Sequence, residues 1–434
     1  DGFHYLFNVN HIRNSRADEY AYAGGAYVAG SSASVTTSKS VTKTIYLEEI
    51  LVNNRASIKF DYVQNENKFY QDPDNVNNDF NQYNLRIKKI AIRDYKLNTR
   101  KEFQFDYAYL GGTESRLFLT SLTESGKAPF TFNYYNTSNL PSPLTGSIDH
   151  WGFWNGSNNT YQAVIPQIDY SVNGDETITD NKRDPDTTKC KTAMLEQITY
   201  PTSGYSKFDY QAHEYHWRLE RKNDFNFLPN LYEVSGNTGG ARIARIEEYD
   251  GIKVSNVREF IYKKDYPAGN ISSGVLLQWP RYLFYWENVV PGTATTKHLR
   301  IRSTSFNNTY SGNEHYIQYS EVTEKMVENG YTNYLFTDYI SNPDENSYNT
   351  IKLDPTLFDG ITNKHLHNSY VGIYFNDKSF ERGIQKSVRY FKYDENDDPV
   401  LIKETKTNLF TSSSDFPDFH IAGAHMTGGI VQSF

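Results

Sequence analysis

A spacing of apolar and aromatic residues that recurs along the chain constrains its fold more than any other feature. The spacing is an aliphatic residue, two residues, a second aliphatic residue, nine residues, then Phe-x-Tyr. Three segments carry it at identical offsets: Leu47-Ile50-Phe60-Tyr62, Leu119-Leu122-Phe132-Tyr134 and Leu195-Ile198-Phe208-Tyr210. Two segments carry it with a longer middle part: Ile87-Ile90-Phe105-Tyr107 and Ile243-Ile246-Phe260-Tyr262.

Each repeat is typical of a β-hairpin. Phe-x-Tyr places two aromatic side chains on one face of a strand, because side chains alternate between the faces. Turn-forming residues separate the two ends of a repeat, as at 201–204 and 250–251, and insertions in such turns cost little. A single hairpin cannot bury its aromatic face, whereas hairpins placed side by side can. The sequence therefore predicts a mainly β fold of repeated antiparallel hairpins in an extended or spiralling sheet.

Composition agrees with this prediction and excludes some functions. Tyr, Phe and Trp make up 15% of the 434 residues, and aromatic residues favour strands. The formal net charge of −8 provides no attraction to phosphate backbones, so we expect no nucleic-acid partner. We also expect no transmembrane segment, since no apolar run approaches the roughly 18 residues that a membrane helix needs.

Metal and cofactor sites are not indicated. Cys190 is the single cysteine, so neither an internal disulfide nor a cysteine metal cluster can form. His365 and His367 would share a strand face, but no third metal ligand is identifiable. We expect no cofactor.

The chain divides at a polar segment. We predict an N-terminal β-repeat half over residues 1–170, a polar connection over 171–191 and a C-terminal β-repeat half over 192–434. Within the first half, residues 24–44 are rich in Gly, Ala, Ser and Thr and favour a flexible loop. We expect the chain to be a fragment of a longer one.

Several sequence blocks resemble, in the same order, exported Bacteroidota proteins of the rearrangement-hotspot (RHS) or YD-repeat type. The blocks are residues 1–7 (DGFHYLF), 116–119 (RLFL), 149–156 (DHWGFWNG), 195–210 (LEQITYPTSGYSKFDY), 239–243 (GGARI), 316–324 (YIQYSEVTE) and 379–383 (SFERG). Tyr-Asp dipeptides also occur at Tyr249-Asp250 and Tyr393-Asp394. The repeats are too irregular for a standard YD array, so the chain resembles the region that precedes one.

The resemblance implies a structural role. In that family the repeats form a shell or spiral wall around cargo, or a scaffold displayed on the cell surface. It also implies a secreted or cell-surface location. The implied partners are the rest of a longer chain or an encapsulated effector, and export or outer-membrane proteins. Because this chain does not carry the self-cleaving segment and variable effector of RHS toxins, any effector activity would lie outside it.

Two aromatic stretches are the candidates for contact with a ligand or partner. The first contains Asp149, His150, Trp151 and Trp154, and the second contains Trp279, Tyr282 and Trp286. An Asp–His pair can act as an acid–base couple, and exposed tryptophan rings can stack on sugars. The same residues equally suit an aromatic corner that closes the end of a sheet, with His150 hydrogen-bonded, and that interpretation is favoured.

No residue is predicted to be catalytic. The sequence contains no GxSxG, GxGxxG, P-loop or HExxH pattern. The first hypothesis is therefore a scaffold or shell region without catalysis of its own. The alternatives are a surface domain that binds or processes carbohydrate, and a substrate or accessory component of an export or outer-membrane complex.

Overall fold

The structure is a computed structural model. It describes residues 3–23, 26–27, 32–52, 56–64, 85–111, 115–142, 145–159, 164–170, 176–220, 229–288, 296–305, 315–326, 329–346, 375–376, 378–407, 424–427 and 430–433.

These residues form strands almost throughout. The first thirteen are β1 (Phe3–Ala23), β2 (Ala26–Tyr27), β3 (Ser32–Leu47), β4 (Glu49–Val52), β5 (Ala56–Gln64), β6 (Leu85–Asp94), β7 (Thr99–Leu110), β8 (Arg116–Glu124), β9 (Phe130–Tyr134), β10 (Ile168–Tyr170), β11 (Glu176–Ile178), β12 (Leu195–Thr199) and β13 (Tyr205–Glu220). The others are β14 (Asn230–Tyr249), β15 (Val254–Ile261), β16 (Gly274–Leu276), β17 (Leu283–Asn288), β18 (Thr296–Arg302), β19 (Ile317–Tyr319), β20 (Glu321–Met326), β21 (Gly330–Phe336), β22 (Glu345–Asn346), β23 (Phe375–Asn376), β24 (Gln385–Tyr393), β25 (Pro399–Lys406), β26 (Ala424–Thr427) and β27 (Ile430–Ser433).

The prediction of a mainly β fold is confirmed. Across the described ranges the only helical segments are single 3-10 turns at Thr137–Asn139 and Ser379–Glu381. No helix within the part of the chain that the structure covers is long and apolar enough to cross a membrane.

The main sheet has sixteen strands, and fourteen of them follow one another in the order β4-β5-β6-β7-β8-β9-β12-β13-β14-β15-β20-β21-β24-β25. Each neighbouring pair on this path is antiparallel. The path is thus a ladder of seven consecutive hairpins. All three repeats with identical spacing are hairpins of this ladder, as predicted.

The register between hairpins explains the repeat spacing. Tyr62 lies opposite Ile87, and Phe60 lies opposite Ile90. Two residues three apart on a regular strand would point to opposite faces. A β-bulge between Asp61 and Tyr62 leaves one extra residue on the facing strand, which returns both isoleucines to one face. The same register and bulge recur at three further junctions: Tyr107–Leu119 with Phe105–Leu122, Tyr134–Leu195 with Phe132–Ile198, and Tyr210–Ile243 with Phe208–Ile246.

A hydrogen bond from each repeat tyrosine links the two ends of its own repeat. The hydroxyl of Tyr62 donates to the backbone carbonyl of Leu47 at 2.7 Å. All other repeats, including the two longer variants, have the same bond from tyrosine to the first aliphatic residue: Tyr107 to Ile87 at 2.9 Å, Tyr134 to Leu119 at 2.8 Å, Tyr210 to Leu195 at 2.9 Å and Tyr262 to Ile243 at 2.9 Å.

The ladder has two different rims. Because successive strands are antiparallel neighbours, the turns within hairpins lie on one rim and the connections between hairpins lie on the other. Asp94, Asp250 and Asp394 each begin a turn and accept two backbone N–H bonds with Oδ1. In the Tyr-Asp dipeptides, the aspartate is therefore the residue that closes the turn.

The expectation of a loop over residues 24–44 is wrong from Ser32 onward. Strand β3 occupies Ser32–Leu47 and pairs with β1 over most of its length. Thr and Val recur in this segment, and their branched side chains suit a paired strand. Because Ser and Thr are common in both loops and strands, the composition that favoured a loop did not distinguish between them.

Three further features of the fold determine where the candidate residues lie. A second sheet contains β17, β18, β1, β2 and β3. Strand β16 pairs in parallel with the C-terminal half of β13, at Trp217 and Arg218, and also pairs with β19. Strands β9 and β12 pair directly, so the main sheet is continuous across the predicted polar connection of residues 171–191.

Candidate functional site

The two candidate stretches lie in the two longest described connections of the ladder. Residues 149–154 belong to the connection between β9 and β12, and residues 279–286 belong to the one between β15 and β20. Both connections start and end on the rim opposite the hairpin turns. The structure brings the two stretches together, mainly through His150, Trp151 and Tyr282.

His150 and Tyr282 form the centre of this contact. Nδ1 of His150 lies 2.8 Å from the hydroxyl of Tyr282, and both side chains are buried. On the other side of the ring, Nε2 lies 3.6 Å from a carboxylate oxygen of Asp184. Burial lowers the pKa of His150 and raises the pKa of Tyr282. A neutral imidazole and a neutral phenol therefore share this hydrogen bond.

Asp149 closes its own turn and is not paired with His150 through any described hydrogen bond. Its Oδ1 accepts the backbone N–H groups of Trp151 and Phe153, both at 2.9 Å. Burial raises the pKa of Asp149 to about 6, although these bonds oppose the rise. The two adjacent side chains thus have separate hydrogen-bond partners: Asp149 bonds to the backbone of its own turn, and His150 to Tyr282.

Arg183 links the turn that contains Asp149 to the connection between β15 and β20. Its Nη2 donates to the backbone carbonyl of Asp149 at 2.9 Å, and its Nη1 donates to the carbonyl of Ser303 at 2.5 Å. The guanidinium carbon also lies 5.2 Å from the ring centre of Tyr282. A buried guanidinium that donates to two distant carbonyls holds both segments in one geometry.

Glu176 makes a similar link from β11. Its carboxylate accepts the backbone N–H groups of Tyr282 at 2.8 Å and Leu283 at 2.5 Å. Burial raises the pKa of Glu176. Tyr282 and Leu283 also form an apolar cluster with Leu299 and Ile301.

The candidate tryptophans take part in packing to different extents. Trp151 donates from Nε1 to the carbonyl of Gln278 at 3.2 Å, and with Trp279 it packs against a cluster of Tyr215, Leu276 and Ile317. The guanidinium carbon of Arg218 lies 3.9 Å from the ring centre of Trp279.

Trp154 lies beside a lysine, and Trp286 belongs to strand β17. The ammonium of Lys189 lies 5.6 Å from the ring centre of Trp154, which is half-buried. Trp286 stands opposite His298 in the pairing of β17 with β18. Contact of any of the seven candidate residues with a ligand or partner stays a prediction.

Two glycines and a tyrosine complete the site, and motif analysis did not single them out as site residues. An added Cβ on Gly239 would lie 1.9 Å from Oδ2 of Asp149 and 2.7 Å from Phe153. On Gly240 it would lie 2.5 Å from the hydroxyl of Tyr316, which itself donates to the carbonyl of Gly239 at 2.8 Å. We call Asp149, Phe153, Gly239, Gly240 and Tyr316 the glycine contact.

The sequence signal for the glycine contact lies in the resemblance. Three of the blocks that resemble RHS proteins, 149–156, 239–243 and 316–324, are far apart in the chain and meet at this point. Their order in the sequence does not indicate that contact, because it depends on how two long connections fold back onto β14.

A second polar group surrounds Arg242 on β14. Its guanidinium carbon lies 4.2 Å from the ring centre of Tyr262 and 5.0 Å from that of Tyr319, and its Nη2 pairs with Glu214 at 3.1 Å. Nδ1 of His213 lies 2.8 Å from the hydroxyl of Tyr319. Burial, aided by the charge of Arg242, lowers the pKa of His213 to about 4.

The arrangement is chemically suited to holding segments together. Its charged and polar groups contact backbone carbonyls, backbone N–H groups and aromatic rings. Within the described ranges, no three His, Cys, Asp or Glu side chains are grouped so that they could hold a metal ion. His365 and His367 lie outside the described residues.

No protein-family model matches the chain, and no curated protein matches it. One similar solved structure is the crystal structure of TcdB2-TccC3-Cdc42, with a TM-score of 0.22 and 9% sequence identity over 83% of this chain and 21% of that chain. This chain therefore spans about a fifth of that neighbour's length.

Proposed function

We propose that the chain is a structural wall segment of a larger secreted or cell-surface protein similar to the RHS and YD-repeat group. In this role it has no catalysis of its own, and its partners are other parts of that protein or a cargo that the protein encloses. The observation that carries the proposal is the tyrosine-to-carbonyl bond found in all five repeats.

The tyrosine-to-carbonyl bond allows hairpins to be added one after another to an extended sheet. Each repeat tyrosine fixes its own hairpin through its hydroxyl, while its backbone lies opposite the first aliphatic residue of the next hairpin in four junctions. A repeat that specifies both its own fold and its junction can be added many times without changing the geometry. Repetition of this kind suits a wall or scaffold.

The buried polar groups support the same role. Arg183 and His150 are almost inaccessible to solvent, and their hydrogen bonds join long connections to one another. Catalytic groups need contact with a substrate, whereas groups that stabilise a long connection do not. These contacts join the long connections along one rim of the sheet.

The mass of the native polypeptide in its source tests this proposal. It can be measured on a denaturing gel and by intact mass spectrometry. A species much larger than the 50.1 kDa of this chain is the expected result. A native polypeptide of about that mass would contradict the wall-segment proposal, because no further part would remain to enclose a cargo.

Carbohydrate binding is a second candidate function, and the exposure of Phe153 favours it. This ring is partly exposed, lies 6.0 Å from the ring of Tyr316 and neighbours the half-buried Trp151 and Trp154. A glycan array on the wild type and on the Trp154→Ala variant tests it. Glycan binding that the variant abolishes would support this candidate, and binding that survives would count against it.

A further inference from the structure

Exposed apolar side chains recur along the rim that carries the hairpin turns, which we call the turn rim. They lie in or next to six of the seven turns: Val52, Leu97, Tyr200, Ile252, Met326 and Val400. The long connections start and end on the opposite rim. Single exposed apolar residues are common on protein surfaces, whereas a row of them along one rim is typical of an interaction surface.

The second and seventh turns of the turn rim carry opposite charges. The second turn, between β6 and β7, has three exposed cations within residues 95–101 and no carboxylate there. The seventh turn, between β24 and β25, has four exposed carboxylates within residues 394–398 and no cation there. The turn rim is therefore basic near one end of the ladder and acidic near the other.

The turns at the midpoint between these two are neutral. Residues 200–204, in the fourth turn, include no charged side chain. In the fifth turn, Asp250 and Lys253 have opposite charges, and Ile252 between them is 88% exposed. Because neighbours in the ladder are paired strands, successive turns lie two strands apart, at about 10 Å. The fourth and fifth turns are thus equally far from the basic and the acidic turn.

We propose that two copies of the chain associate through their turn rims about a two-fold axis that passes between the fourth and fifth turns. A two-fold axis brings the same surface of both copies together in reverse order. The fourth turn of one copy then meets the fifth turn of the other, which places Tyr200 near Ile252 of the other copy. The same axis brings the basic second turn of each copy towards the acidic seventh turn of the other.

The charge pattern selects a second copy as the partner. A uniformly acidic partner would be attracted to the second turn and repelled by the seventh, and a uniformly basic partner would show the reverse. A second copy in reverse order matches both turns at once. Exposed charges act over about 8 Å at physiological salt, so the end turns favour this arrangement even without direct contact.

Sedimentation velocity of the full chain over a range of concentrations tests the association. The wild type should form a dimer whose fraction rises with concentration. Ile252→Lys brings cations into the centre of the contact and should weaken association on the order of tenfold. Phe380→Lys is the matched control, because Phe380 is 73% exposed in the connection between β21 and β24, on the opposite rim. It should change association by less than about twofold.

Two results of this experiment would overturn the proposal. The first is a wild type that stays monomeric at every concentration. The second is equal weakening of the dimer by Ile252→Lys and Phe380→Lys, because the contact would then lie elsewhere than on the turn rim.

Crosslinking between two single-cysteine chains tests the two-fold arrangement. In a Cys190→Ser background, Leu97→Cys marks the second turn and Val400→Cys marks the seventh, and both positions are exposed. A flexible bismaleimide should crosslink a mixture of the two chains and should crosslink either chain alone far less. A dimer that gives no crosslink in the mixture would contradict the arrangement, and so would equal crosslinking of the mixture and of either chain alone.

This inference goes beyond the proposed function, and the two fail separately. A chain that stays monomeric would overturn the self-association and leave the wall-segment proposal unaffected. A native polypeptide of about 50.1 kDa would contradict the wall segment and leave the self-association unaffected.

Discussion

The hydroxyl of Tyr210 donates a hydrogen bond to the backbone carbonyl of Leu195 at 2.9 Å and so joins the two strands of one hairpin. The backbone of Tyr210 lies opposite Ile243 of the next hairpin. Tyr210 thus takes part both in its own hairpin and in the junction with the next hairpin. Tyr210 lies fifteen residues after Leu195, the same separation as in the other two repeats with identical spacing.

Loss of that hydroxyl should destabilise the protein. Tyr210→Phe removes the bond and leaves a partly buried carbonyl without this donor, which we expect to cost roughly 1 kcal/mol of unfolding free energy. Tyr95→Phe is the matched control, because Tyr95 is exposed in a turn and the change should stay within about 0.5 kcal/mol. Urea unfolding of both variants measures the difference. Equal effects would show that the tyrosine bond does not contribute.

Gly239→Ala should be strongly destabilising. The new Cβ would lie 1.9 Å from Oδ2 of Asp149, and the buried turn would have to move, at a cost of about 1–3 kcal/mol or more. Gly126→Ala is the comparison, since nothing lies within 4 Å of its added Cβ and only its positive φ of 80° opposes the change. Thermal unfolding should show a larger loss for Gly239→Ala. A smaller loss than for Gly126→Ala would contradict the glycine contact.

His213 should destabilise the protein in acid. Its pKa is 6.5 when exposed and about 4 in the folded chain, so the unfolded state takes up a proton first as the pH falls. The folded state should lose roughly 1–3 kcal/mol between pH 6.5 and pH 4. His213→Gln keeps a polar partner for Tyr319 without titrating, and its unfolding free energy should fall less over this range. If the unfolding free energies of wild type and His213→Gln fell equally between pH 6.5 and pH 4, His213 would not be a source of the acid sensitivity.

Asp149 should have the opposite effect. Its pKa rises from 3.8 to about 6 on folding, so between these values the folded state holds the proton more tightly. Acidification from pH 6 to pH 4 should therefore add stability through this group, on the order of 1–3 kcal/mol. Asp149→Asn keeps the Oδ1 acceptor and removes the titration. Urea midpoints across this range should decrease more steeply for Asp149→Asn than for wild type, and an unchanged slope would contradict the prediction.

Leu97→Gly should stabilise the turn between β6 and β7. Leu97 has a φ of 63°, a left-handed conformation that costs a residue with a Cβ about 1–2 kcal/mol, and its exposed side chain contributes little burial. Tyr95→Gly in the same turn has no such strain to relieve and serves as the control. Thermal unfolding should show a higher midpoint for Leu97→Gly than for Tyr95→Gly. The reverse order would contradict the strain argument.

The amino-acid pattern alone was enough to predict the hairpins. Spacing within a repeat is local: an aliphatic pair, a turn and Phe-x-Tyr specify two strands and the face on which their aromatic residues lie. The bulge that makes a three-residue spacing compatible with one face was not predicted, because a bulge depends on the facing strand. The strand over Ser32–Leu47 was missed for a related reason, since its partner is β1.

The contacts between the long connections could be found only in the folded chain. Asp149, Gly239 and Tyr316 are separated by 77 residues or more, and their meeting depends on two connections leaving the same rim and packing on β14. The sequence identified Asp149, His150 and Tyr282 as candidates, but the roles of Arg183 and Glu176 arise from backbone groups that they contact. Backbone partners have no sequence signature. For that reason, periodicity could predict the ladder, whereas the glycine contact required the folded chain.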